Sequence, residues 1–260
     1  MKYSELNIFK ENGQKITCLT AYDASMAKLI DTAGVDIVLI GDSLGMVIKG
    51  AENTRSVSMK DMIYHTEIVA KACKQALVIA DMPFHSYENS KTALANAKEL
   101  INNGANMVKI EGGSENIGVI KALVSDGINV CGHLGLQPQL VVDSSGYKVQ
   151  GRDEDSAQTI LDNAKLLDSL GVSILVLECV PSDLAKSITN TIKIPTIGIG
   201  AGKECDGQIL VSYDMLGITL GSQPRFVRNF LNSENTITSA VKAFVSEVKQ
   251  GNFPSESESY

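Results

Sequence analysis

The sequence predicts a (β/α)8 barrel. Short β-branched runs recur eight times, amphipathic helical patterns lie between them, and the series fits within 260 residues. A doubly wound open sheet would use fewer strands and open on a G-x-G-x-x-G turn after the first, and no such turn is present. Residues 1–260 therefore read as one barrel domain.

The candidate strands are Ile16–Leu19, Asp36–Ile40, Leu77–Ala80, Met107–Ile110, Ile128–Cys131, Ser173–Leu177, Pro195–Ile199 and Ile209–Val211. Gly, Asp, Asn or Pro bounds each, as strand ends require. Several are apolar at consecutive positions, the pattern of strands covered on both faces. A short helix at about residues 4–10 precedes the first strand, placed to close the barrel floor. The segment Ser58–Cys73 sets Met59, Met62, Ile63, Val69 and Ala70 near one face at a period close to 3.6. Ser90–Asn103 reads as a helix that starts at an N-cap serine and stops at Asn-Gly. Asp153–Leu170 gathers Ile160, Leu161, Ala164, Leu167 and Leu170 and ends at Gly171. The tail GNFPSESESY, residues 251–260, is polar enough that it is expected to fray.

Composition narrows the function classes. Lys and Arg total 23 against 30 Asp and Glu, a net charge of -7, which argues against binding to nucleic acid or an anionic membrane. No apolar run approaches the roughly 18 residues that cross a bilayer. The N-terminal MKYSELNIFKENGQK lacks a signal-peptide core, and the five cysteines are widely spaced with no C-x-x-C pair. These features describe a cytoplasmic protein with reduced thiols.

Chemistry in such a barrel sits where strands give way to βα loops. Four apolar runs end on a carboxylate there: Asp42, Asp81, Glu111 and Glu178. Singly, each reads equally as a cap or a salt-bridge partner. Together on one rim they repel, and a cation or a proton must hold them. With three histidines and scattered cysteines, an all-oxygen site for Mg²⁺ is the expected answer. Lys109, two residues before Glu111, shares its face; it either grips an anionic substrate or merely neutralises Glu111. Ser43 follows Asp42, where its hydroxyl can reach an anion. His133 ends the fifth run and reads as a ligand contact or a structural residue, His65 falls within a helix, and His85 lies in a loop. The glycines of Gly198–Gly202 either cradle a phosphate or permit a tight turn.

TAYD with GDSLGMV, then ADMPF, KIEGG, GHLGLQPQ, GYKVQGR, LVLECVP, PTIGIGAG and CDGQILVSYDMLG, follow one another from about residue 16 to about residue 230. As an ordered set they resemble the ketopantoate hydroxymethyltransferase (3-methyl-2-oxobutanoate hydroxymethyltransferase) family. The resemblance implies a barrel of the phosphoenolpyruvate/pyruvate superfamily type. It also implies transfer of a hydroxymethyl group from 5,10-methylenetetrahydrofolate to 3-methyl-2-oxobutanoate, giving 2-dehydropantoate through a Mg-stabilised enolate in pantothenate biosynthesis. By the same resemblance, Asp42 and Asp81 bind Mg²⁺ with Glu111 near or on the metal through water. Asp42, Ser43, Asp81 and Lys109 hold the oxoacid, and Glu178 is similar to the family's catalytic base. The family implies a homo-oligomer, a decamer. Three positions depart from its pattern: His85 for a small or apolar residue, Gln137 for Thr and Ser145 for Gly. The mobile-loop KKCGH-like segment of isocitrate-lyase and phosphonomutase relatives is missing from the sequence.

Overall fold

The computed structural model describes residues 5–142, 147–219 and 223–260, so Ser4 and Ser145 lie outside the described residues. Eight parallel strands close into a barrel in sequence order. They are β1 (Ile16–Thr20), β2 (Ile37–Ile40), β3 (Leu77–Asp81), β4 (Met107–Glu111), β5 (Val130–Gly135), β6 (Ile174–Glu178), β7 (Thr196–Ile199) and β8 (Gly207–Leu210). Six of the eight overlap the expected runs nearly end to end. The fifth begins two residues later than expected and extends to Gly135, so His133 lies within the strand rather than at its end. The eighth begins at Gly207 because Gly207 and Gln208 pair with Ile197 and Gly198 of β7.

Alternation along the strands builds two cores. Ile37, Leu39, Leu77, Ile79, Met107, Cys131, Ile174, Val176, Ile197 and Ile209 fill the barrel interior. The intervening residues, such as Val38, Ile40, Val78 and Val108, pack outward against the helices. Helix α1 (Glu5–Glu11) closes the floor, sending Leu6 and Phe9 against the interior cluster. Lys10 fastens that helix through its ammonium, which donates to Thr189 O at 2.8 Å and pairs with Asp206 at 3.0 Å.

The outer helices follow the sequence with adjusted ends. Met59–Ala72 carries a capping box from Ser58 and Asp61, and Glu154–Ser169 is capped by Asp153. Ser90–Asn102 is capped by the Asn89 side chain, which accepts from Thr92 N, so Ser90 is the first helical residue rather than the cap. No helix among the described residues is long and apolar enough to cross a membrane. All five cysteines are free and buried.

Residues 251–260, expected to fray, lie packed against the fold in this structure. Phe253 is buried against Phe230 and Phe244, with ring centres 5.5 and 5.8 Å away. Glu258 accepts two hydrogen bonds of 2.7 Å from Arg228, and Tyr260 O accepts the Ser182 N–H at 2.8 Å. A polar composition measures the affinity of a segment for water, but here Glu258 and the Tyr260 carbonyl are paired with the fold and Phe253 anchors the segment.

Candidate active site

The inward face that fills the barrel with Ile79, Met107, Cys131 and Val176 continues upward, two residues at a time, into Asp81, Lys109, Glu111, His133 and Glu178. Strand register sets them side by side, Asp81 opposite Lys109 and Glu111 opposite His133. Asp42 reaches the same mouth from the loop after β2, where its backbone N–H donates to Asp81 Oδ2 at 3.0 Å. Thus the four strand-end acids, Lys109 and His133 converge on one mouth. Ser43 stands beside it, its hydroxyl 2.8 Å from the Tyr22 hydroxyl.

Contacts within the mouth are close but imperfectly satisfied. Lys109 Nζ lies 2.9 Å from Asp81 Oδ1, and His133 Nε2 lies 3.1 Å from Glu178 Oε2 with Nδ1 3.5 Å from Glu111 Oε1. None of these ion-pair contacts is aimed well enough to be a hydrogen bond, so Asp81 Oδ1, Glu111 Oε1 and both His133 nitrogens are buried without a hydrogen-bond partner among the described residues. Glu178 is the most open of the set, its side chain 14% exposed. Its backbone is held from β5: Leu136 N–H donates to Glu178 O at 2.8 Å, and a Cβ on Gly135 would stand 2.2 Å from that oxygen. Only glycine fits there.

Burial and crowding shift the titrations. Burial raises the Asp42 carboxyl well above its ordinary value, and the charges of Asp81 and Glu111 add to the rise. Burial also raises Glu111, but His133, Lys109 and the Gln139 N–H outweigh it and hold that carboxyl below its ordinary value. Burial and the Lys109 charge lower His133, yet Glu111 and Glu178 overcome both and lift it to about 9. Lys109 is lowered by burial and raised more strongly by Asp81, Glu111 and Asp42, which keeps its ammonium charged.

Gln139, which sequence reasoning did not single out, ties the mouth together. Its side-chain amide donates to Asp42 Oδ2 and to Met82 O, each at 2.9 Å, and its carbonyl accepts from the Tyr87 hydroxyl at 2.6 Å. Its backbone N–H donates to Glu111 Oε2 at 3.1 Å. The remaining sequence candidates fall outside the mouth or against its wall. His65 Nδ1 lies 2.6 Å from Tyr22 O, a structural contact. His85 is exposed, paired with Glu88 at 2.6 Å, and adopts a left-handed φ of 64°. The Gly200 and Gly202 positions are taken up by close packing, since Cβ atoms there would meet Phe226 at 2.7 Å and Ser182 Oγ at 2.6 Å.

The donor set suits a hard cation. Adjacent Asp42 and Asp81 carboxylates and a third at Glu111 offer oxygen only, and two of their buried oxygens lack a donor. Among the described residues no three acidic, histidine or cysteine side chains form a ready-made metal cage. The arrangement fits a metal that takes one or two carboxylates and completes its shell with water and substrate, as Mg²⁺ does.

Comparison with known proteins agrees with this architecture. The chain is similar to 2,3-dimethylmalate lyase, a PEP mutase/isocitrate lyase superfamily member, with a TM-score of 0.62 at 16% identity, covering 83% of this chain and 82% of that one. It is equally similar, TM-score 0.62 at 15% identity over 99% and 93% of the two chains, to a phosphonopyruvate hydrolase crystallised with oxalate and Mg²⁺. Sequence relatives are far nearer. The 3-methyl-2-oxobutanoate hydroxymethyltransferase of Ruthia magnifica subsp. Calyptogena magnifica is 57% identical over 260 residues, the full length of both chains. The protein of the same name from Colwellia psychrerythraea is 54% identical over 95% of this chain and 94% of its own. Residues 1–256 match the family model for ketopantoate hydroxymethyltransferase. The chain belongs to the ketopantoate hydroxymethyltransferase family of transferases.

Proposed function

We propose that the protein transfers a hydroxymethyl group from 5,10-methylenetetrahydrofolate to 3-methyl-2-oxobutanoate, giving 2-dehydropantoate for pantothenate biosynthesis. The convergence of Asp42, Asp81, Glu111, Lys109 and Glu178 on one mouth is the observation that carries this reading. By family resemblance the enzyme is cytoplasmic and works as a homo-oligomer, a decamer.

Asp42 and Asp81 would hold Mg²⁺, with Glu111 acting through water. Bound there, the metal would supply Lewis-acid polarisation of the ketone, worth several kcal/mol to developing charge. Lys109 and Ser43 bind the oxoacid's carboxylate and stabilise the enolate oxygen in a site largely closed to water. Glu178 takes the proton from C3, and the C–H electron pair becomes the enolate double bond. The His133 imidazole stands 3.1 Å from Glu178 Oε2 as a neighbouring charge, while Gly135 and Leu136 fix the Glu178 backbone. The carbon nucleophile then attacks the donor's methylene carbon. Across the whole reaction one water is consumed, tetrahydrofolate leaves, and the new carbon remains as CH₂OH.

Incubation with the oxoacid and methylenetetrahydrofolate, with and without Mg²⁺, tests the reaction. Metal-dependent 2-dehydropantoate formation is expected, and cleavage of the oxoacid in the absence of folate would refute the reading. Glu178→Gln should abolish deuterium exchange at C3 while oxoacid binding persists; continued exchange would assign the base elsewhere.

A further inference from the structure

Beside the acidic mouth lies a cavity of about 240 Å³ between the loops that follow β3, β4 and β5. Glu111 and Gln139 form walls of both spaces. We propose that this cavity seats the reduced pterin ring of the one-carbon donor, with the donor's glutamate tail leaving past Arg55; the proposal rests on the folate-dependent reading above.

Adjacency is the first argument. Carbon–carbon bond formation requires the donor's methylene carbon to come within about 3–3.5 Å of the oxoacid carbon, so the donor must occupy a space that borders the mouth, as this cavity does through Glu111 and Gln139. The chemistry of the walls is the second. Phe84, Tyr87 and Leu140 supply apolar surface, and Leu140 is left 63% exposed, a large aliphatic group that a flat ring would cover. Glu88, Glu111 and Glu115 also line the cavity, a setting that disfavours an anionic ring and suits a neutral one rich in N–H donors. Glu115 has no hydrogen-bond or ion-pair partner among the described residues. Its carboxylate folds back over the end of β4, so that a Cβ on Gly112 would lie 2.2 Å from Glu115 Oε1. There it can accept a paired N–H···O contact from the amino-pyrimidine edge of a pterin.

Arg55 supplies an independent observation. Its guanidinium lies over the Phe84 ring, 4.1 Å from the ring centre, and it has no carboxylate partner among the described residues. In a chain with net charge -7, an unpaired cation stacked on the cavity wall suits the carboxylates of a glutamyl tail.

Calorimetric titration of the full-length protein with tetrahydrofolate, and with tetrahydropterin lacking the glutamate, separates the parts. Leu140→Asp and Glu115→Gln should each raise the tetrahydrofolate Kd and the KM for methylenetetrahydrofolate about tenfold. Arg55→Ala should weaken tetrahydrofolate about threefold to fivefold and leave tetrahydropterin unchanged. Deuterium exchange at C3 of the oxoacid, which needs no folate, should stay within twofold of the parent protein in all three and so reports intact folding. Leu140 and Arg55 are exposed, so their substitutions spare the core. Unchanged tetrahydrofolate binding in Leu140→Asp and Glu115→Gln would overturn the cavity assignment. Failure of the parent protein itself to bind tetrahydrofolate, with C3 exchange intact, would instead overturn the folate reading beneath it.

Discussion

Substituting Gln139 by leucine removes three side-chain hydrogen bonds while nearly conserving volume, and the structure allows the loss to be estimated. The Tyr87 hydroxyl borders the open cavity and can turn to water. Asp42 Oδ2 and Met82 O are buried and lose a donor outright. A buried acceptor left unpaired costs about 1–3 kcal/mol, so the two together should cost about 2–6 kcal/mol. That is a large share of a typical domain stability of about 5–15 kcal/mol. The backbone N–H to Glu111 survives, so Glu111 keeps that contact. Asp42 is already raised by burial and by the charges of Asp81 and Glu111, and losing the amide pushes it further toward the protonated form. Mg²⁺-dependent oxoacid binding should therefore weaken along with stability. Urea unfolding measures the first effect, and calorimetric titration of the oxoacid at several Mg²⁺ concentrations measures the second. A loss below about 1 kcal/mol with unchanged metal-dependent binding would show that Gln139 does not hold Asp42 in its working state.

Asp81→Ala should weaken metal-dependent oxoacid binding at least tenfold by calorimetry, and an unchanged Mg²⁺ titration would remove Asp81 from the ligand set. His133 is lifted from 6.5 to about 9, so its stabilising contribution is complete below pH 6.5 and disappears as pH rises through 9. The stability gap between the parent protein and His133→Phe should shrink by roughly 3 kcal/mol at most across that window in urea titrations, and a constant gap would refute a charged imidazole. Arg228 pairs with Glu258 and Glu247 at 2.7 and 3.0 Å while about 30% exposed, so Arg228→Ala should cost about 1 kcal/mol after solvent screening. Limited proteolysis should then cut within residues 251–260, and a tail as resistant as in the parent protein would show that Phe253 and the Ser182–Tyr260 contact hold it without Arg228.

The barrel and its acids were legible for one reason: both follow the two-residue period of a strand. Once β3, β4 and β6 are placed, Asp81, Lys109, Glu111 and Glu178 must share an inward face. Gln139 carries no such signal. It lies in a short 3₁₀ turn after β5, and its partners Asp42, Met82 and Tyr87 come from two other loops, so the contact exists only after folding. His133 could not be assigned either, because its character depends on having Glu111 on one side and Glu178 on the other. The tail misled because hydropathy counts polar groups and cannot see the Arg228 and Ser182 groups that pair with them. The cap at Asn89 instead of Ser90 is a smaller shift, set by which side chain reaches Thr92 N.

The five sequestered thiols have a practical consequence. Cys18, Cys73, Cys131, Cys179 and Cys205 are distributed from β1 around the barrel to the turn before β8, and burial pushes every one of them upward, Cys73 and Cys131 to about 12 and Cys205 to about 11. A thiolate is the reactive form, so an alkylating reagent can modify each sulfur only when its neighbourhood transiently opens. The protein thus carries five natural reporters of local breathing, and mass spectrometry of timed alkylation would rank the sectors of the barrel by how often each one opens, without any introduced label.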